Sequence, residues 1–276
     1  MNKDTLDKAF NKAINGGTAG FIAMSGQVVS MMWLRTIVNH QYRNGGTFKS
    51  TAKLLYNEGG IVRFYRGLPF ALLQAPLSRF GDTAMNAGVA TLLEDTNLSL
   101  AEKTFAGSCG AGLWRIGIMP IDTLKSSLQV NGSNGIGIIR DRMKVEGMRT
   151  FYNGSMASGL STVMGHFPWF YTYNFLNEKF PRKDFENSPK YVSLLRSAGI
   201  GFASSSISDT VSNIFRVVKI MRQTNTESVG YYKLVKDTLK NESIFSMMTR
   251  GLKTKILTNG IQGMIFVVIF DLLKKS

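Results

Sequence analysis

EGMRTFYNG, residues 146–154, places an acid and a glycine before an aromatic pair and a second glycine. Related stretches lie before and after it: EGGIVRFYRG at residues 58–67 and ESIFSMMTRG at residues 242–251. The glutamates that open the three stretches are 88 and 96 residues apart, so three units of about 90 residues fill the chain. A sequence period of this length indicates tandem structural units that share one fold.

Long uncharged stretches lie between these repeats. Residues 13–34 carry no charged side chain over 22 positions, residues 150–177 none over 28, and residues 256–270 none over 15. A helix needs roughly 20 mostly apolar residues to cross a bilayer. The pattern predicts membrane-spanning helices, and the alternative is a soluble helical protein with buried core helices.

Each repeat unit has the same order: an apolar helix, a polar loop with a short amphipathic helix, and a second apolar helix. We therefore expect an all-α membrane protein with six transmembrane helices in three pseudo-threefold repeats. The chain is expected to form a single domain, residues 1–276, with repeats at about 10–95, 100–182 and 190–276. The predicted spans are residues 10–40, 68–92, 102–130, 155–179, 191–223 and 251–274.

The composition excludes several classes of protein. The chain has a formal net charge of +15, although only 18% of its residues are charged. A lone cysteine, Cys109, excludes a disulfide scaffold, and one cysteine with two histidines excludes a Cys/His zinc site. The apolar content excludes a disordered chain. We expect no enzyme activity and no metal site. A nucleic-acid partner is not expected either, because the positive charges are not gathered into an aromatic–basic motif.

The stretch PIDTLK at residues 120–125, with Gln129 and the Glu146-Gly147 pair behind it, resembles the signature of the mitochondrial carrier family. The threefold placement of the related motifs strengthens this resemblance over the whole chain. It implies six transmembrane helices in the mitochondrial inner membrane and three amphipathic helices on the matrix side.

The resemblance also implies a matrix gate, in which a proline kinks each odd-numbered span and acid–base pairs join the three helix ends. Repeat 2 keeps the full motif, whereas repeat 3 has Arg216 where the acid belongs, and repeat 1 has no Pro, Asp or Glu between Lys8 and Asn57. We therefore expect that a three-way ionic gate cannot form and that the cations splay or recruit an anion. The predicted gate residues are Pro120, Asp122, Lys125, Gln129, Arg216, Lys219 and Gln223.

Other site residues follow from the same resemblance. The intermembrane-side motif comprises Phe270, Asp271, Lys274 and Glu178. The predicted cavity residues are Gln74, Arg79, Arg115, Gly165, His166, Asp209, Thr258 and Asn259. His166 could bind solute or sense protons, or it could simply pack beside Pro168 and Trp169.

Cardiolipin is the expected bound lipid, and no other cofactor is expected. In the family its phosphates sit at helix N-termini, where free N–H groups and the helix dipole favour anions. The positions that match are Tyr65, Arg66, Gly67, Tyr152, Gly154, Arg250 and Gly251.

The incomplete gate motif leaves two hypotheses for the function. Loss of gate acids and kink prolines favours an accessory or structural subunit of a larger inner-membrane complex, such as a respiratory-chain complex, with protein subunits and membrane lipids as partners. The alternative is an active solute carrier that works by alternating access. Uncharged residues at the predicted contact points argue against a large anionic substrate such as a nucleotide.

Overall fold

The computed structural model describes residues 3–93, 96–181 and 189–262, and within them all regular structure is helical. The predicted all-α fold is therefore confirmed. The helices are α1 (Lys3–Asn44), α2 (Phe48–Phe64), α3 (Leu68–Leu92), α4 (Leu100–Gly117), α5 (Met119–Asn131), α6 (Gly135–Glu146), α7 (Ser155–Lys179), α8 (Lys190–Thr224), α9 (Tyr231–Leu239), α10 (Ile244–Thr249) and α11, described over 252–262; 3-10 turns cover Gly132–Asn134 and Gly147–Tyr152.

Three pairs of long helices, each joined by short ones, run in chain order. The repeats are α1–α3, α4–α7 and α8–α11, and the most extensive helix contacts join α7 to α8, α4 to α7 and α3 to α4. The helices α1, α5 and α8 also contact one another in all three pairs. One end of each repeat's first long helix therefore meets the other two near a common axis.

Proline explains why the first long helix is broken in one repeat only. The sequence predicts one continuous helix over residues 102–130, but the chain leaves helical geometry at Ile118 and restarts as α5 with Pro120 in its first turn. A proline lacks the backbone N–H and its ring crowds the preceding turn, so it belongs in a first turn. The equivalent helices α1 and α8 have no proline and run unbroken over 42 and 35 residues.

A buried arginine joins the first repeat to the second. Arg63 is 4% exposed and pairs through Nε with Glu58 at 2.7 Å. Its two terminal nitrogens donate to the carbonyl oxygens of Gln129 and Val130, each at 2.8 Å. These carbonyls lie at the C-terminal end of α5, where a helix leaves acceptors without internal partners.

The same joint recurs at the other two boundaries between repeats, although its arginines occupy different positions in their repeats. Each arginine pairs with the glutamate of its own repeat and donates to carbonyls at the C-terminal end of the next long helix. Arg142 pairs with Glu146 at 3.3 Å and donates to carbonyls at the end of α8, those of Arg222, Gln223 and Asn225. Arg250 pairs with Glu242 at 2.9 Å and donates to carbonyls at the end of α1, those of Tyr42 and Arg43. Three arginine joints thus close the repeats into a ring.

Three glycines pack against the same helix ends. Gly67, Gly154 and Gly251 have φ angles of 86°, 90° and 64°, which L side chains rarely adopt. A Cβ on Gly67 would lie 2.9 Å from the Lys125 carbonyl oxygen, and one on Gly154 would lie 3.0 Å from that of Lys219. Glycine therefore allows both the turn and the close approach of neighbouring repeats.

A hydropathy test of the described residues finds no helix that is both long and apolar enough to cross a membrane.

Candidate functional site

A cavity of about 330 Å³ lies where the long helices of the three repeats converge. Side chains of α1, α3, α4, α5, α7, α8 and α11 line it. Many are small and hydroxylated, including Ser126, Ser161, Thr162 and Ser208, so the wall offers hydrogen bonds and not an apolar surface. Such a wall suits a polar occupant.

Ten of the fifteen predicted gate and cavity residues meet at this cavity. The predicted residues among its lining are Gln74, Arg115, Asp122, Lys125, Gln129, Gly165, His166, Arg216, Lys219 and Thr258. Asp209 and Asn259 lie directly behind the wall and contact Arg216 and Lys255. Arg79, in contrast, is exposed on α3 and does not line the cavity.

Asp122 is the centre of the charged network. It is 3% exposed, and its two carboxylate oxygens bind Lys125 Nζ and Lys219 Nζ, both at 2.6 Å. Gln223 Nε2 donates to the same carboxylate at 3.0 Å. One acid on α5 therefore holds a lysine of its own helix and a lysine of α8.

The connection from α1 to this network is uncharged. Asn39 Nδ2 on α1 donates to Gln129 Oε1 on α5 at 2.5 Å, and Arg43 donates to the Asn225 side chain beyond α8 at 3.2 Å. Among the described residues, no ion pair joins α1 to α5 or α8. The ends of α1, α5 and α8 thus share one ionic link among the described residues, between α5 and α8, where the predicted gate would have three.

The structure identifies the residue that stands where repeat 1 should carry its gate acid. Thr123, directly after Asp122, donates to the Phe151 carbonyl oxygen at 2.7 Å, and Thr36 donates to the Phe64 carbonyl oxygen at the same distance. This shared contact aligns Arg35 with Asp122. The gate-acid position therefore carries Arg35, Asp122 and Arg216 in the three repeats.

Arg216 forms an ion pair within the protein. The expectation that the gate cations splay is therefore wrong for this residue. Its guanidinium pairs with Asp209, two helical turns earlier on α8, and Asn259 on α11 donates to the other oxygen of Asp209. A spacing of seven residues puts both charges on one face of the helix. That spacing was the sequence signal for this pair.

Two cations at the cavity were missed by the sequence analysis. Arg35 faces the side-chain amide of Gln262, whose oxygen, when turned to the guanidinium, accepts from Nη2 at 2.8 Å and from Nε at 3.2 Å. Lys255 Nζ donates to Asn259 Oδ1 at 2.9 Å. Neither cation has a carboxylate within ion-pair distance among the described residues. Lys255 could have been found, because it lies three and four residues before Thr258 and Asn259 on one helix face.

Arg115 on α4 and His166 on α7 also line the cavity wall. Arg115 Nη2 pairs with Asp82 on α3 at 2.6 Å, so α3 and α4 are joined by an ion pair. His166 lines the cavity, and its ring meets that of Phe170 edge-on at 6.3 Å. Its buried Nδ1 has no hydrogen-bond partner among the residues that the structure describes.

The remaining predicted residues lie away from the cavity. Phe270, Asp271 and Lys274 fall outside the described residues, and Glu178 is exposed near the end of α7. Tyr65, Arg66 and Gly67 precede α3, Tyr152 and Gly154 precede α7, and Gly251 precedes α11. Arg250 serves the third joint through Glu242 and the end of α1, so its guanidinium already has protein partners.

The arginine joint on α6 contains a buried guanidinium. Burial lowers the pKa of Arg142, and the adjacent carboxylate of Glu146 opposes that shift. Glu146 also accepts from the Asn153 side chain at 2.7 Å. One carboxylate therefore contacts both the arginine of the joint and the turn that leads into α7.

An all-helical ring of three repeats around a polar, charged cavity is an architecture suited to binding a solute on its axis. Residues 96–184, which correspond to the middle repeat, match the family model for mitochondrial carrier protein. The match covers about a third of the chain, and it shows that the middle repeat is similar to a mitochondrial carrier protein, as the signature in repeat 2 indicated. Proteins of this family are transporters of the mitochondrial inner membrane. A comparison with curated proteins found no significant match.

Proposed function

We propose that the protein is a multi-pass solute carrier of the mitochondrial inner membrane and that the central cavity binds its solute. The observation that carries this proposal is the cavity wall itself. Six cationic side chains and a buried carboxylate face one space of about 330 Å³ between the helices. Removing charges from water is expensive, and ionisable groups inside membrane bundles commonly mark pathways or binding sites.

The six-span arrangement is part of the proposal. The uncharged stretches 13–34 and 150–177 are long enough to cross a bilayer, and they fall within or largely within α1 and α7. In this arrangement, Arg35, Arg115 and Arg216 of the long helices face the central cavity, as expected for charges inside a membrane bundle. Cardiolipin would bind at the starts of α3, α7 and α11.

An accessory subunit of a larger inner-membrane complex is the second candidate. It is favoured by the reduced gate: one acid serves where three are expected, and α1 and α8 lack the proline break of α4–α5. A protein that no longer alternates between two states would not need those elements. The protein subunits that such a role requires would then contact the outer, apolar faces of the helices.

Two measurements on the native protein separate these candidates. The first is the size of the particle that carries this chain after extraction of mitochondria in mild detergent. The second is uptake by proteoliposomes of four labelled probes: inorganic phosphate, malate, ATP and glycine. A free particle that takes up one probe supports the carrier. Stoichiometric migration in a large complex, with no uptake of any probe, would contradict the carrier and support the accessory role.

A cavity-filling variant makes the uptake measurement specific. Thr162 lines the cavity from α7, so Thr162→Trp should fill the space and abolish uptake. Lys240→Gln removes a cation from an exposed surface pair beside α9 and should leave uptake unchanged. Equal uptake by the Thr162→Trp variant and the natural protein would show that the cavity is not the path.

A further inference from the structure

The charges at the cavity do not balance. Six cations line it, on α1, α4, α5, α8 and α11, and Asp122 is the one carboxylate among the described lining residues. Two more carboxylates lie just behind the wall, where Asp82 pairs with Arg115 and Asp209 with Arg216. Asp122 must serve both Lys125 and Lys219, so three positive charges remain unmatched.

Three of these cations converge from three helices, and all three side chains line the same cavity. Arg35 on α1 and Lys255 on α11 have no carboxylate partner among the described residues, and Lys219 on α8 shares Asp122 with Lys125. Lys255 lies within electrostatic range of the carboxylate of Asp209 and of three other cations, Arg216, Arg35 and Lys125. The site therefore presents several cationic donors to a single volume.

The partners of Arg35 and Lys255 are neutral amide oxygens of Gln262 and Asn259. An amide oxygen satisfies one or two N–H donors but does not neutralise the charge. A guanidinium has five donors and an ammonium has three, so both groups keep donors for another acceptor. Oxyanions are the strongest acceptors for such groups.

We propose that a polyvalent oxyanion binds between Arg35, Lys219 and Lys255 and replaces the carboxylates that repeats 1 and 3 lack. The bound anion joins α1 to α8 and α11 by charge, where the described side chains provide contacts with neutral amides, those of Arg43 with Asn225 and of Arg35 with Gln262. It therefore acts as a removable part of the gate. This inference rests on the proposed function only in that the cavity takes a solute, and binding is measurable without transport.

Thermal unfolding of the full chain in detergent, at constant ionic strength, is the test. Pyrophosphate and citrate represent phosphate and carboxylate oxyanions, glycine is the neutral control, and sodium chloride supplies the ionic strength. We expect pyrophosphate, citrate or both to raise the unfolding temperature with saturation, and glycine to leave it unchanged. The stronger of the two anions identifies the preferred oxyanion chemistry. No rise with either anion would overturn the proposal.

Variants locate the site. Arg35→Gln and Lys255→Gln each remove one charge-assisted contact and should weaken anion binding about tenfold or more. Lys240→Gln removes a cation from an exposed surface pair beside α9, and this variant should bind the anion as the natural protein does. Equal affinity in all three variants would place the anion elsewhere and overturn the proposal.

Arg35→Glu tests whether the anion replaces a missing acid. The introduced carboxylate would supply from the protein the charge that the anion brings, so the anion-free variant should unfold at a higher temperature and gain little from the anion. A lower unfolding temperature together with an undiminished anion effect would overturn the proposal. If Arg35→Glu does not fold, Arg35→Gln and Lys255→Gln still decide the question.

The two proposals fail separately. Uptake of some solute by proteoliposomes, with no stabilisation by either oxyanion, would overturn the anion site and leave the carrier function standing. Stabilisation with the expected variant pattern, but no uptake of any probe, would support the anion site and contradict the carrier function.

Discussion

At the scale of single residues, equivalent positions of the predicted gate carry side chains of different charge. The aligned positions Arg35, Asp122 and Arg216 occupy equivalent places in three repeats, yet they carry opposite charges. Asp122 can hold two lysines because it lies between α5 and α8, and Arg216 finds its acid within its own helix. The charges of Asp122 and Arg216 are therefore neutralised by their local neighbours and not by the threefold pattern, whereas Arg35 faces the neutral amide of Gln262.

Loss of Asp122 should have a large effect on stability. Asp122→Asn leaves Lys125 and Lys219 close together without their carboxylate, and breaking a buried ion pair costs about 3–5 kcal/mol. The unfolding temperature in detergent should fall by several degrees. Asp237→Asn, which breaks an exposed pair on α9, is the control and should change stability by at most about 1 kcal/mol. Similar effects of the two variants would contradict the central role of Asp122.

At the scale of elements, the helices meet through their ends. The arginine joints bind backbone carbonyls at the C-terminal ends of α1, α5 and α8, which also carry the gate residues. The break before Pro120 changes the course of the middle repeat's long helix just before its gate acid. Helix ends and helix breaks therefore position the cavity wall.

Arg63 and Arg66 provide a matched pair for testing a joint. Arg63→Met leaves Glu58 without its cation and the carbonyls of Gln129 and Val130 without donors, so we expect a loss of about 2–4 kcal/mol. Arg66 is exposed three residues later, and Arg66→Met should change stability by less than about 0.5 kcal/mol. Unfolding temperatures of both variants check the prediction, which fails if Arg66→Met is the more damaging change.

The unbroken course of α1 should make it intolerant of proline. The alignment of Arg35 with Asp122 places Trp33 opposite Pro120, so Trp33→Pro introduces into α1 the proline that repeat 2 has. An interior proline costs about 3 kcal/mol or more. Trp33→Ala measures the loss of the side chain alone, and the difference between the variants in unfolding temperature gives the backbone effect. No difference would show that α1 already bends at this point.

At the scale of the whole molecule, positive charge dominates. The chain carries a formal net charge of +15, and part of the excess is concentrated on the cavity wall. Net charge far from zero destabilises a compact state by self-repulsion. The fold therefore holds its repeats together against a repulsion that reaches its central axis.

Salt should stabilise the protein when no oxyanion is present. Raising sodium chloride from about 10 mM to about 150 mM shortens the Debye length from about 30 Å to about 8 Å. We expect the unfolding temperature to rise over that range. The rise should be smaller in Arg35→Glu, which removes two units of the excess at the cavity. A fall in unfolding temperature with salt would show that attractive pairs outweigh the repulsion.

The sequence predicted the parts of the structure that depend on local pattern. The bounds predicted for α3 and α7 agree with the structure, and those for α8 differ by one residue at each end. Repetition of the acid–glycine stretches predicted the three units. Periodicity, turn glycines and proline act over a few residues, so they can be recognised without the fold.

The cavity depends on contacts that local pattern does not contain. Arg35 lies one residue beyond an uncharged apolar run, and its place at the gate emerged only from the matching hydrogen bonds of Thr36 and Thr123. The link between Asp122 and Lys219 joins residues 97 positions apart, and no local pattern predicts such a contact. Tertiary contacts of this kind decide which charges are neutralised.

The arginine joints have an evolutionary consequence. Each joint recognises main-chain carbonyls, which every amino acid supplies, and not the side chains of the helix that it holds. Mutations on the inward faces of α1, α5 and α8 can therefore accumulate without opening the ring. Selection could therefore replace an acidic residue by arginine, as at Arg35 or Arg216, and so change which solutes the cavity binds. The arrangement of the helices would be inherited unchanged.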